Sequence, residues 1–217
     1  MSARDDDPDL ARLARYYDGI AYRYEVEVHN RVQRYSERVL AFLQQVPQRA
    51  GTRILDVGCG PGILTRNLAP EVEVVGFDLS AEMTRLAQCG RPSGAYHVHD
   101  FHQPLPPEWG LFDVVLAVGC LEFCGDLKRV IGHLARVARP GGRMLLTVVE
   151  RDRDEADGRA RVPISPKLPD VIMYRYTYDE VACVLGELGL RVREHRRHPG
   201  WLNDDALIEY GIWDVLA

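Results

Sequence analysis

Between Arg53 and Glu150 short β-branched runs alternate with stretches of helical period, and no other feature restricts the fold as strongly. Arg53–Val57, Val72–Phe77, Ala95–His99, Asp113–Val118 and Arg143–Glu150 read as strands. Ile63–Leu68, Ala81–Gln88 and Asp126–Arg139 read as the helices between them, with Pro140-Gly141-Gly142 ending the last. Such alternation places strands parallel in one sheet with helices on both faces, a doubly wound α/β domain. Tyr178–Leu188 continues as a helix. Leu190–Arg196 and Ala206–Val215 then read as two strands around a loop holding Pro199, Gly200 and Asn203 to Asp205, and so pair antiparallel.

The flanks divide the chain. Residues 1–8 read as a disordered acidic tail, and 9–50 as an N-terminal helical lid. In the lid, Leu10, Leu13, Tyr17, Ile20, Tyr24 and Val28 form an apolar stripe that Gly19 weakens or breaks, and a second helix runs from Val32 to Val46. The core is 51–150, and 151–176 is an insertion or substrate lid in which Arg151–Pro169 has no clear period. Residues 177–217 complete the sheet. A length of 217 residues suits one domain with a developed core. A net charge of -5 argues against a nucleic-acid partner. The start, MSARDDDPDL, lacks a signal-like apolar stretch, and no apolar run approaches the ~20 residues of a membrane span. Five cysteines without a CxxC pair fit reduced thiols in a cytoplasmic protein.

The first strand runs into RILDVGCGPGILTRNL, with Gly58, Gly60 and Gly62 in five positions and Asp56 just ahead. Glycines at a strand-to-helix turn let the backbone approach a ligand beyond the carboxyl ends of the strands, although a tight turn alone would also use them. The spacing departs from the GxGxxG of dinucleotide sites, and Asp56 would repel a pyrophosphate. With no GK[ST] following, the turn is no P-loop. LDVGCGPG resembles the first motif of class I S-adenosylmethionine-dependent methyltransferases, and the likeness continues through VVGFDLS, HVHDF, FDVVLAVGCLEF and RVARPGGRMLL. The resemblance implies a Rossmann-like, doubly wound, seven-stranded, mostly parallel sheet with an antiparallel last strand, and S-adenosylmethionine as cofactor. It implies that Asp78 takes the ribose hydroxyls, that Met83 and Phe101 flank the adenine, and that Asp100 takes its amino group. It also places Cys59 in the glycine turn, Leu79 beside Asp78, and Val118 and Gly119 at the edge of the donor pocket. YDGIAYRY is similar to the family's lid motif, with Tyr17, Ala21 and Tyr24 matching. Read by themselves, Asp78 and Asp100 also suit helix caps or turns, and Met83 suits the core.

The implied activity is methyl transfer to an oxygen or nitrogen of a small molecule such as a secondary metabolite. A protein of this fold that binds the donor without methylating, or acts as a cyclase, is the competing reading. Neither nucleic acid nor membrane is expected as partner. Tyrosines cluster in Tyr16–Tyr35 and Tyr174–Tyr178, as for an amphipathic pocket suited to an aromatic or polyketide-like acceptor. Phe123 stands where many small-molecule relatives carry a histidine, so candidate bases lie elsewhere: His102, His29, His198 and Glu122. Cys120 reads as a small packing residue. His97, His99 and His102 have no carboxylate in ligand arrangement, so no metal is expected.

Overall fold

The computed structural model describes residues 8–26, 36–153, 161–165, 168–203 and 206–217. Its elements are α1 (Pro8–Ile20), α2 (Ser36–Leu43), β1 (Arg53–Val57), β2 (Glu73–Asp78), α3 (Ala81–Gly90), β3 (Ala95–Val98) and β4 (Phe112–Ala117). These are followed by α4 (Leu127–Val137), β5 (Ala138–Glu150), β6 (Arg161–Ser165), β7 (Leu168–Tyr176), α5 (Tyr178–Glu187), β8 (Arg191–Asn203) and β9 (Ala206–Leu216). β1 pairs in parallel with β2 on one side and β4 on the other. β3 adds to β2 and β5 to β4, also in parallel. β9 lies antiparallel on β5, from Arg143↔Leu216 to Glu150↔Glu209, and β8 antiparallel on β9. The expected mostly parallel sheet with antiparallel closing strands is present.

Alternation along the central strands sends successive side chains to opposite faces. Leu55, Val57, Val115, Met144 and Leu146 face α4 and α5, packing on Leu127, Ile131, Leu134, Val181 and Leu185. Ile54, Val114, Leu116 and Leu145 face the other way, under Val39, Phe42 and Leu43 of α2. Tyr96 of β3 lies against two glycines. A Cβ on Gly76 or Gly94 would come within 2.6 Å of its ring, and one on Gly62 within 3.7 Å of its hydroxyl.

Several local expectations change. Ile63–Leu68 is a chain of turns, not a helix, closed by Thr65 N→Gly62 O (3.2 Å), Arg66 N→Gly62 O (2.9 Å) and Leu68 N→Thr65 O (3.2 Å). The stretch is confined between Gly62, at φ +73°, and Pro70, which leaves too little length to offset helix nucleation. Pro140-Gly141-Gly142 does not end α4, which stops at Val137. It lies inside β5, where the register against β4 shifts and Gly141 N bonds Ala217 O at 2.9 Å. Pro199, Gly200 and Asn203 belong to β8, with another register shift, rather than to a loop. α1 ends one residue after Gly19 and passes into a 3-10 turn, Ala21–Arg23.

The segment read as an unpatterned insertion holds β6 and β7, which pair with each other antiparallel. β7 joins β5 in parallel at Val149↔Arg175 and Glu150↔Tyr176. β9 occupies one edge of β5 over these residues and β4 leaves the other after Leu146, so β7 runs beyond the carboxyl end of β4. Pro163 in β6 and Pro169 in β7 hid the strands from a periodicity reading. No helix among the described residues is long and apolar enough to cross a membrane.

Candidate functional site

Four parallel strands end on one side of the sheet, and a cavity opens there beneath α1. Its accessible volume is about 60 Å³, so in this closed arrangement it is a narrow cleft beneath α1, smaller than a filled small-molecule site. Gly58 and Gly60 form its floor at the end of β1. Asp78 and Leu79 enter from β2, Asp100 and Phe101 from the turn after β3, and Gly119 from the end of β4. Met83 of α3 lines it while only 1% exposed, so the core reading and the pocket reading hold together. Tyr17 and Tyr24 close it from the lid, with ring centroids 6.0 Å apart and Tyr17 edge-on to Phe123 at 6.1 Å.

Gly60 carries φ +50°, and a Cβ there would meet only Tyr24, at 3.9 Å, so the floor faces open space where a ligand can touch backbone. Its N–H donates to Asp78 Oδ2 at 2.9 Å, while Ser80 N–H donates to Asp78 Oδ1 at 2.9 Å. Asp78 is therefore not the helix cap: Ser80 caps α3, its Oγ accepting from Met83 N at 3.1 Å. Burial raises the Asp78 carboxyl above its ordinary range, against the pull of these N–H groups. Asp100 does form a turn, Oδ1 accepting from His102 N at 2.9 Å and pairing with His102 Nδ1 at 2.7 Å. Burial raises Asp100, but the His102 bonds outweigh it and its carboxyl titrates below the usual range.

Other expected site residues do not form the wall. Asp56 is buried and accepts from Thr65 Oγ1 at 2.9 Å, and burial pushes its carboxyl up to about 7. Cys59, Gly62 and Val118 pack behind the turn and strand, Cys59 with its thiol pushed well up by burial. Cys120, read as packing only, touches both sides: it lines the cavity, and its Cβ lies where a Gly58 side chain would be. His102 stands beside Phe101, ring centroids 4.5 Å apart, and does not line the cavity. Glu122 sits in the 3-10 turn after β4, 4% exposed, Oε1 accepting from Tyr210 Oη at 2.9 Å, Oε2 buried without a hydrogen bond among the described residues. Burial pushes it up to about 7. His29 lies outside the described residues. His198 is half-buried on β8, outside the cavity lining, Nδ1 near its neighbour's carbonyl. His97 stacks on Trp109 at 4.8 Å and His99 meets it edge-on at 5.4 Å, and the described residues contain no metal-binding cluster.

The second tyrosine cluster does other work. Tyr176 donates to Cys124 O, Tyr174 packs on Gly125, and Tyr178 stacks on Trp213, centroids 5.0 Å apart. The sequence reading missed Leu10, Leu13 and His99 in the wall, and Asp18 and Tyr210 behind it. Leu10 and Leu13 carried a signal in the apolar stripe, whereas Asp18 and Tyr210 act on partners 62 and 88 residues away.

The donor set suits a nucleoside: one carboxylate at the end of β2, another at the end of β3, apolar Met83, Leu79 and Phe101 between, and open backbone at Gly60. A family model described as a methyltransferase domain matches residues 27–195. A malonyl-[acyl-carrier protein] O-methyltransferase of Enterobacter lignolyticus is 35% identical over 126 residues, 57% of this chain and 49% of that protein. A ubiquinone biosynthesis O-methyltransferase of Xanthomonas oryzae is 34% identical over 107 residues, 47% of this chain and 45% of that protein. The chain thus spans about half the length of the curated relatives it matches. Magnesium protoporphyrin IX methyltransferase from Synechocystis PCC 6803, solved with bound S-adenosylmethionine, superposes with a TM-score of 0.70 at 18% identity. That match covers 100% of this chain and 99% of the other, a likeness of fold. With its family model matched across most of its length, the chain belongs to the class I S-adenosylmethionine-dependent methyltransferases, and its cofactor is S-adenosylmethionine.

Proposed function

We propose that the protein transfers a methyl group from S-adenosylmethionine to an oxygen or nitrogen of a small organic molecule, with an aromatic or polyketide-like metabolite as the acceptor class. The observation that carries this reading is the cavity at the strand ends, with Asp78 and Asp100 at separate strand ends and two lid tyrosines above it. Asp78 receives the ribose hydroxyls and Asp100 the adenine amino group, while Met83 and Phe101 flank the ring. Gly58, Gly60 and Gly119 bring backbone to the amino-acid part. The cofactor supplies a methyl on sulfonium sulfur, already activated toward a nucleophile. What remains for the protein is to align the acceptor and exclude water, and alignment of an ideal pair contributes on the order of 7–11 kcal/mol. Tyr17, Tyr24 and Phe123 supply the aromatic face for that alignment.

The relatives' names support oxygen as the acceptor atom, one of them on a carrier-bound malonyl group. For an acceptor that keeps its proton, Glu122 is the proposed proton-accepting group; it lies behind the cavity wall in this closed arrangement, so the role requires the wall at Tyr17 and Phe123 to admit it. It is buried near Tyr17, it is held by Tyr210, and its carboxyl titrates at about 7, where a base works well at neutral pH. The test is release of S-adenosylhomocysteine by the full chain with a panel of phenols, carboxylic acids and amines. Methylated product in step with S-adenosylhomocysteine is expected. Donor binding without release across the panel would overturn the reading in favour of a binder or cyclase.

A further inference from the structure

One of the contacts that fasten the lid to the cavity wall runs through a serine. Asp18 of α1 accepts the Ser80 hydroxyl at 2.5 Å and Glu82 N–H at 3.2 Å, both on Oδ1. Ser80 is fully buried, and two of its other polar contacts reach residues that line the cavity. Its N–H holds Asp78 Oδ1 at 2.9 Å, and its Oγ accepts from Met83 N at 3.1 Å. With the hydroxyl proton committed to Asp18, the Oγ lone pairs are directed to Met83 N, so the lid carboxylate reaches Met83 through the Ser80 side chain and Asp78 through the backbone N–H of the same residue. A second tie lies at the far side of the cavity. Glu25, just past the 3-10 turn of the lid, pairs bidentately with Arg66 at 2.6 and 2.8 Å, and Arg66 belongs to the turns that follow the glycine floor.

We infer that Asp18 is a positioning residue for the donor: it couples closure of the lid to the Asp78–Ser80–Met83 wall, so that bound donor and closed lid hold each other in place. The inference rests on the cavity being the donor site. The lid carries Leu10, Leu13, Tyr17 and Tyr24 over the opening, and leaving the cavity requires these two ties and the Tyr22–Arg85 contact to part. Coupling of this kind slows release rather than capture, because an arriving ligand meets the lid open. The closed lid also brings the Tyr17 ring to Phe123, and the aromatic face for an acceptor is complete only then. The donor accordingly binds first and the acceptor second.

The test follows the release of radiolabelled S-adenosylhomocysteine from the full-length protein after a chase with unlabelled compound, with no acceptor present. Asp18→Ala removes the acceptor atom and is expected to speed release roughly 10- to 100-fold, the weight of a hydrogen bond to a charged group, with little change in association rate. Asp18→Asn keeps an oxygen in place and is expected to stay within about threefold of wild type, relative to the alanine variant. Glu25→Gln, on the second tie, reads the same rate without touching Ser80, and thermal unfolding checks that each variant is folded. Wild-type release from Asp18→Ala, or an asparagine variant as fast as alanine, overturns the coupling. A wild-type protein that retains no S-adenosylhomocysteine overturns the donor site itself, a different outcome from tight retention that the variants leave unchanged.

Discussion

At the ends of β2 and β3 each carboxylate is fixed by backbone two residues away: Asp78 by the N–H of Ser80, Asp100 by the N–H of His102. At the ends of β4 and β5 the carboxylates are held from afar. Glu122 accepts from Tyr210, 88 residues on, and Glu150 meets His195 Nε2 at 2.8 Å, 45 residues on. Both latter partners arrive on the antiparallel β8–β9 pair. Each of the first two carboxylates thus has a bond from its own turn, to which Asp78 adds one from Gly60 at the neighbouring strand end. The other side exists only once the sheet has closed. A fold built this way can change β8 and β9 without disturbing the carboxylates at the ends of β2 and β3.

The comparison breaks most visibly at Gly58. Its φ of +61° and a Cβ position 2.5 Å from Cys120 Cβ make Gly58→Ala cost roughly 3 kcal/mol or more, from left-handed strain and overpacking together. Chemical denaturation measures it. Adding Cys120→Gly should recover the packing part and leave the strain, and equal stability of single and double variants would refute that division.

The far side answers to pH. Glu122 titrates at 4.5 when unfolded and about 7 when folded, so the folded state holds its proton longer. Through this group stability is greatest below about 4.5 and falls as pH rises to about 7, on the order of 3 kcal/mol. Asp56, raised by burial from 3.8 to about 7, pushes the same way on the donor side. Urea denaturation between these pH values should show a shallower fall in Glu122→Gln, with the Asp56 share remaining. An unchanged slope would remove Glu122 from the account.

Asp78→Ala should weaken binding of S-adenosylmethionine by roughly 1–3 kcal/mol in calorimetry, since it leaves two wall N–H groups and, on the proposed role, the ribose hydroxyls without their acceptor. Tyr210→Phe should act oppositely, costing about 1 kcal/mol of stability while donor affinity holds. Loss of donor binding in Tyr210→Phe would show that the two sides are not independent.

The same division explains what could be read in the sequence. Alternating β-branched runs located the five parallel strands because each is a local pattern, buried on both faces in β1, β2, β4 and most of β5, while β3 is an exposed edge strand. Gly60, Asp78, Asp100 and Gly119 were legible because the end of a strand is a position along the chain. Asp56 was placed at the shoulder of the right turn, but its side chain turns to Thr65, and the one-dimensional spacing carries no direction. The Ile63–Leu68 stretch has helical composition, and the conformations imposed by Gly62 and Pro70 prevailed over it. β6 and β7 escaped because hairpin strands with prolines lose their period. The Asp18–Ser80 contact joins two ordinary residues across 62 positions and leaves no trace in either neighbourhood.

The flat seat of Tyr96 against Gly76 and Gly94, with its hydroxyl toward Gly62, has a historical consequence. The aromatic ring occupies volume that the missing side chains of Gly76 and Gly94 surrender, so none of these three positions, 76, 94 and 96, is free to drift alone. A descendant that gains even a methyl at 76 or 94 must first have shrunk the residue at 96, and the reverse order passes through a jammed intermediate. Substitutions in this lineage should therefore appear in a fixed sequence, ring first and glycine after.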